Sequence, residues 1–203
     1  RLGSTIVDLG NNFATTEADI VNMATRLAST GSLVGLSEQQ IMALSTAMSS
    51  VGIEAEAGGS AMSKMLRKVQ TSVETGDKNL KKYASVAGMS VKKFKDAFQK
   101  DALSVLTAFI AGLKDTKRNG KSATVVLSEM GLTEERLTNA VMSLSNASEM
   151  MNDAVNTANK AWNENTALAN EAEQKYKTLE SKVQLMKNGL KELGIAAYDE
   201  MRD

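Results

Sequence analysis

Residues 147–188 read ASEMMNDAVNTANKAWNENTALANEAEQKYKTLESKVQLMKN, without a single proline or glycine. The rest of the chain, up to Asp203, also lacks proline, and its first glycine is Gly189. Proline and glycine are the residues that interrupt helices most strongly. The stretch therefore predicts one helix of roughly 57 residues, about 85 Å long at 1.5 Å per residue.

The apolar residues of this stretch recur in alternating steps of four and three. That spacing averages 3.5 residues and indicates the seam of a left-handed coiled coil, since the stripe of an ordinary amphipathic helix drifts by about 20° per heptad. An ordinary helix packed on the rest of the chain is the alternative. The alanine-rich first half is a weak core, so a break would fall between Ala161 and Asn165. The candidate residues for self-association are Tyr176, Leu179, Val183, Met186, Leu190 and Leu193.

Residues 1–146 are organised differently, because glycines and capping residues divide them into short segments. Glycines that predict the ends of such segments include Gly31, Gly52, Gly76 and Gly131. Thr16 precedes two acidic residues, and Ser37 with Gln40 has the spacing of a capping box. The chain has 42% hydrophobic residues, no proline and 4% aromatic residues, which favours helix over strand. We expect an all-α protein: a compact domain of eight or nine short helices over residues 1–146, then the long helix over residues 147–203.

Two consecutive glycines, Gly58 and Gly59, lie inside one of the predicted helices. Each costs about 1 kcal/mol relative to alanine in a helix, so the pair needs a structural reason. One reason is close packing against another helix, within the domain or between copies. The other is a simple kink in the helix.

The chain contains no cysteine and no histidine. This excludes disulfides and thiol nucleophiles, and it removes the usual general base and the commonest transition-metal ligand. Two short motifs that resemble catalytic or phosphate-binding sequences, SVKK at residues 90–93 and NGKS at residues 119–122, are better explained by helix caps and a charged loop. We therefore expect no catalytic, cofactor-binding or metal-binding residues.

Twenty-four basic and 24 acidic side chains cancel, but they are unevenly distributed. Residues 1–60 carry 2 basic and 6 acidic side chains, residues 61–121 carry 14 and 5, and residues 122–203 carry 8 and 13, so the blocks have net charges of −4, +9 and −5. The basic block could hold the acidic flanks, another copy or a polyanion; we favour a protein partner. Tyr83, Phe94 and Phe98 lie among its lysines, but their helical spacing predicts core positions rather than nucleic-acid stacking.

Several segments, taken in order, resemble the core domain of tailed-phage tape measure proteins, the phage-related minor tail proteins. The central segment is GIEAEAGGSAM at residues 52–62. LGNNFA at 9–14, TEADI at 16–20 and VGLS at 34–37 precede it, and FIAGL at 109–113, MGL at 130–132 and YKT at 176–178 follow it. The resemblance extends over nearly the whole chain.

This resemblance implies a structural phage protein that occupies the tail tube, templates its length and can leave with the genome. The implied partners are further copies of the chain, for which a trimer or a hexamer would suit tail symmetry, and the tail tube, tail chaperone and tail tip or baseplate proteins. It implies synthesis in the bacterial cytoplasm and location in the tail lumen. It also implies no small-molecule substrate. Any membrane contact would occur only during ejection and would involve other parts of a longer chain. The alternative is a generic bacterial helical interaction, secretion or membrane-active module.

Overall fold

The computed structural model describes residues 1–115 and 120–200, and it describes side chains as far as Asn188. Every regular element in these ranges is a helix, which confirms the predicted all-α class. The helices are α1 (Leu2–Asn12), α2 (Glu17–Leu33), α3 (Glu38–Ser50), α4 (Ala55–Thr75), α5 (Lys78–Val86), α6 (Val91–Lys100), α7 (Ala102–Gly112), α8 (Ala123–Glu129), α9 (Glu135–Asn146), α10 (Ser148–Glu164) and α11 (Ala167–Glu200).

Side-chain caps fix the starts of several helices. The hydroxyl of Thr16 accepts a hydrogen bond from the Asp19 amide at the start of α2. At α3 the predicted capping box is confirmed: the Ser37 hydroxyl accepts from the Gln40 amide, and the Ser37 amide donates to Gln40 Oε1 at 2.9 Å. These bonds satisfy backbone groups that a helix terminus leaves unpaired.

Helices α2, α3 and α4 form the centre of the compact unit. The hydroxyl of Thr15, before α2, donates to the hydroxyl of Ser49 near the end of α3 at 2.8 Å, whereas Gly31 near the end of α2 lies against Ile41 in the first turn of α3. Helices α2 and α3 are therefore antiparallel. Helix α4 packs on α2 and runs parallel to it. The first residues of α2 and α4 therefore lie at the same end as the last residues of α3.

The core contains many methionines and a small group of aromatic rings. Met23, Met48, Met62 and Met65 are fully buried between the central helices. The rings of Tyr83 and Phe109 meet edge to face with centroids 5.3 Å apart, and Phe94 stacks near Tyr83 and Phe98 at 6.5 and 6.4 Å. Helix α10 packs on α1 and α3 and buries Met151, Ala154 and Ala158.

The expectation of one continuous helix over residues 147–203 was wrong. Asn165 takes a left-handed conformation (φ 54°, ψ 36°) and ends α10, with its amide donating to the carbonyl of Ala161. Asparagine enters this region more readily than most residues, because its short polar side chain can bond locally. The break lies at the end of the interval considered weakest in the sequence.

The break also separates two compact units, Arg1–Asn165 and Thr166–Asp203. Helix α10 belongs to the first unit, although the sequence pattern predicted it as part of the C-terminal helix. Met151 and Ala158, two of the apolar residues that recur in steps of four and three, are buried inside that unit. The first part of the predicted seam therefore completes an intramolecular core.

Candidate functional site

The glycine pair lies in the first turns of α4, and both glycines are buried. A Cβ atom on Gly58 would come within 2.0 Å of Ile53 Cγ2, and one on Gly59 within 2.5 Å of Arg26 Cβ in α2. Real Cβ atoms essentially never approach other atoms this closely. The distances support a role of the pair in close packing within the compact unit, between α4, α2 and the turn before α4.

The C-terminal candidate residues lie on α11. All described side chains from residue 173 to residue 188 are exposed. The structure thus leaves Tyr176, Leu179, Val183 and Met186 uncovered, at 72%, 58%, 42% and 68% exposure. The side chains of Leu190 and Leu193 lie outside the described residues. We call the row of Tyr176, Leu179, Val183, Met186, Leu190 and Leu193 the α11 seam.

The aromatic residues of the lysine-rich region are part of the core. Tyr83 and Phe94 are each 1% exposed and Phe98 is 5% exposed, so these three rings are not available for base stacking. Burial, together with the negative charge of Asp77, raises the pKa of Tyr83 to about 12. The phenol therefore stays neutral far above physiological pH.

Four basic side chains of the middle block hold the segment around residues 129–135 against the compact unit. Lys64 Nζ donates to Glu134 Oε2 at 2.7 Å, and Lys68 Nζ donates to the Gly131 carbonyl at 2.6 Å. Lys82 donates to the Glu129 carbonyl at 2.6 Å, and Lys121 pairs with the Glu129 carboxylate. The basic block therefore contacts its acidic C-terminal flank within one molecule, as one of the sequence alternatives proposed.

These contacts lower the pKa values of two exposed carboxyl groups. The hydrogen bond from Lys121 lowers the pKa of Glu129, and the hydrogen bond from Lys64 lowers the pKa of Glu134. Because both carboxylates are exposed, the contacts fix the position of the segment more than they add stability. The charge blocks are visible in the sequence, but the pairing of individual side chains depends on the tertiary structure.

The two catalytic near-motifs have structural explanations or lie partly outside the described residues. The Ser90 hydroxyl accepts a hydrogen bond from the Lys93 amide at 3.2 Å and caps α6. Asn119, the first residue of the NGKS motif, lies outside the described residues; Ser122 is the N-cap residue of α8. In the described ranges, no group of three or more Asp and Glu side chains is arranged to hold a metal ion.

These features define an all-helical protein whose notable surfaces are an apolar helix face and clusters of charge, which is the pattern of a structural or interaction protein. The family model of the phage-related minor tail proteins matches residues 1–127, and the chain belongs to this family. No solved structure matches the chain. Family membership indicates a structural role in the virion tail, with contacts to other tail proteins, rather than an enzymatic one. Among the described residues, no helix is long and apolar enough to cross a membrane.

The close contact at Gly59 predicts the effect of adding one methyl group. Alanine is favoured over glycine in helices by about 1 kcal/mol. The clash with Arg26 Cβ should outweigh this gain, because that atom is next to the α2 backbone and has little freedom to move. We expect Gly59→Ala to lower the free energy of unfolding by about 1–3 kcal/mol, as overpacking does, when measured by urea denaturation.

The matched control is Ser60→Ala at the adjacent exposed position on the same helix. This change should be neutral or slightly stabilising, because alanine has the higher helix propensity. A Gly59→Ala protein as stable as the unmodified chain would show that α4 and α2 do not need glycine at their contact.

Proposed function

We propose that the chain is part of a tape measure protein, which sets the length of the phage tail tube during assembly. The observation that carries this proposal is the α11 seam, a heptad row whose described side chains, Tyr176 to Met186, are uncovered, on a helix that follows a compact unit. A helix advances by a fixed 1.5 Å per residue, so a continuous helical segment converts chain length into physical length. The family to which the chain belongs supports the tail as the place of action.

We propose different roles for the two units. The short helices of Arg1–Asn165 bury a common core, which suits a folded module that contacts other proteins. Helix α11 carries the seam, which suits the extended part of a length-measuring protein. In the longer parent chain, further helix of the same kind would supply the remaining length.

We propose that the α11 seam binds the seams of further copies of the chain. An isolated helix gains little stability in water and depends on burial of its apolar face. The described seam residues alternate in steps of three and four, and lysine and glutamate occupy most neighbouring positions, including Glu173, Lys175, Glu180 and Lys182. This arrangement of an apolar row flanked by charges is typical of coiled coils, in which each seam is covered by an equivalent seam.

The remaining partners in this proposal follow from a position in the tail lumen. The assembled copies would contact the tail tube proteins around them, the tail chaperone before the tube closes, and the tail tip or baseplate at one end. A trimer or a hexamer would fit the symmetry of a tail. The seam permits several oligomeric states, because it mixes leucine with valine, methionine and tyrosine.

A single substitution on the seam tests self-association. Leu179→Glu places a charge where another copy's apolar side chains would pack, and burying an unpaired charge is strongly unfavourable. We expect the mass measured by sedimentation equilibrium to fall toward that of a 21.7 kDa monomer. Because Leu179 lies on α11 and is exposed within one molecule, the compact unit should keep its fold, and circular dichroism should lose at most the helix signal of α11.

The matched control is Leu185→Glu on the same helix. Leu185 is 70% exposed but lies off the seam, so this change adds the same charge without entering the predicted interface. An equal loss of mass in both variants would indicate a general effect of charge on α11. Retention of the oligomer by Leu179→Glu would show that the seam does not join the copies.

A change in helix length tests the tape measure role itself. We would duplicate residues 169–196 in frame in the parent phage gene, which adds about four heptads and about 42 Å of helix. We expect tails longer by a matching amount in electron micrographs of the purified phage. Phages with viable tails of unchanged length would contradict the proposal.

The control is a duplication of the same size in which the added copy carries two prolines. Proline in a helix interior breaks the helix, so the added residues should no longer contribute their full length. Equal lengthening by both duplications would show that tail length follows the number of residues without a continuous helix.

A further inference from the structure

The two ends of the α2–α3–α4 group carry opposite charges. Thr15 meets Ser49 at one end, where α2 and α4 begin, and Gly31 meets Ile41 at the other end. Helix α4 has 21 residues, so it separates the two ends by about 31 Å. The distance between the charges of the two ends is therefore several times the Debye screening length, which is about 8 Å at physiological salt. The two ends act as independent charged surfaces.

The acidic end is formed by exposed carboxylates near the first residues of α2 and α4. Asp19 and Glu54 line one cavity, and Glu56 lines a neighbouring cavity. Both cavities share Asn22 and Ala55, which places the three carboxylates on one surface; Arg26 lies in the second cavity.

The basic end is formed by lysines on α5 and α6. Helix α5 begins directly after α4, and Gln40 at the start of α3 donates to Asp101, between α6 and α7, at 2.9 Å. The chain connection from α4 and the hydrogen bond from Gln40 therefore place α5 and α6 at the end of the group where α4 ends. The side-chain amines of six lysines there form no ion pair or hydrogen bond among the residues that the structure describes: Lys78, Lys81, Lys92, Lys93, Lys95 and Lys100.

The lysines outweigh the carboxylates around them. Lys92, Lys93 and Lys100 line a shallow cavity of about 380 Å³ together with Asp96. Asp77 and Asp101 are occupied as helix caps, since their carboxylates accept hydrogen bonds from the first amides of α5 and α7. A capping carboxylate keeps its charge, and the exposed Glu38 and Glu74 lie at the same end. The five carboxylates there are outnumbered by two by the seven lysines of α5 and α6: Lys78, Lys81, Lys82, Lys92, Lys93, Lys95 and Lys100.

We propose that the compact units of successive copies associate end to end, with the acidic end of one copy on the basic end of the next. Opposite charges on complementary surfaces steer association and fix its orientation. Because the two surfaces differ, the contact is heterologous and can continue from copy to copy along an axis. This inference deepens the proposed tail role by naming a second contact between copies, and it does not depend on length measurement.

A second copy fits the basic end better than a nucleic acid does. The aromatic rings of this region are buried and offer no stacking surface, and its exposed cations are lysines, which lack the bidentate geometry of arginine. The matching acidic surface, in contrast, is present on every copy of the chain.

The test is a charge exchange in a background where the seam is made polar by Leu179→Ser and Val183→Ser. One variant carries Glu54→Lys with Glu56→Lys, so both ends are basic, and the other carries Lys92→Glu with Lys93→Glu, so both ends are acidic. In about 50 mM salt we expect each variant alone to associate at least about tenfold more weakly than the background by sedimentation equilibrium. An equimolar mixture of the two should recover association, because each variant supplies the end that the other lacks.

The control variant is Lys182→Glu with Lys187→Glu, which makes on α11 the same change in net charge as Lys92→Glu with Lys93→Glu makes at the basic end. It should associate like the background, and raising the salt to about 0.5 M should weaken the background and the mixture alike. A mixture that stays as weak as its components would overturn the inference. A background chain that remains monomeric but binds a duplex of about 30 base pairs through Lys92 and Lys93 would also overturn it, in favour of nucleic acid.

The outcome is separate from that of the tail-length experiment. A phage that carries the duplicated helix tests length measurement whether or not the compact units associate. Recovery by mixing tests the end-to-end contact in purified protein, whatever sets the length of the tail.

Discussion

The left-handed backbone at Asn165 determines how the apolar residues of the last third of the chain are used. Before it, α10 places Met151, Ala154 and Ala158 in the core formed with α1 and α3. After it, α11 exposes Tyr176, Leu179, Val183 and Met186. One periodic pattern thus supplies an intramolecular contact first and an uncovered surface afterwards. The proposed assembly depends on this division, because only uncovered side chains can meet another copy.

The lysines of the basic middle block are likewise divided between contacts inside the molecule and an exposed surface. Part of the basic middle block is used within the molecule, where Lys64, Lys68, Lys82 and Lys121 hold the segment around residues 129–135. The side-chain amines of Lys78 and Lys81 on α5 and of the four lysines on α6 have no such partners in the described structure, and they lie opposite an end that carries Asp19, Glu54 and Glu56. The net charge of zero over the whole chain therefore conceals two surfaces of opposite sign. Such a molecule has little net attraction for polyanions, and the proposed end-to-end contact depends on these two surfaces.

The sequence predicted most of the local structure, because caps and turn glycines act over a few residues. Ser37 with Gln40 and the left-handed Gly52, Gly76 and Gly131 were read correctly as helix boundaries. Gly31 was not, because it serves the close approach of Ile41 while α2 continues to Leu33. A glycine needed for packing cannot be distinguished from a stop signal without the neighbouring helix. The pairing of Lys64 with Glu134, 70 positions apart, likewise depends on tertiary structure.

The central claim is that this chain acts as copies joined to one another, and the most direct test is the mass of the unmodified protein in solution. Sedimentation equilibrium over a range of concentrations in low salt should give a mass that is a multiple of 21.7 kDa and rises with concentration. A mass of 21.7 kDa at every concentration up to about 100 µM, where a contact with a micromolar dissociation constant would be nearly saturated, would contradict the account.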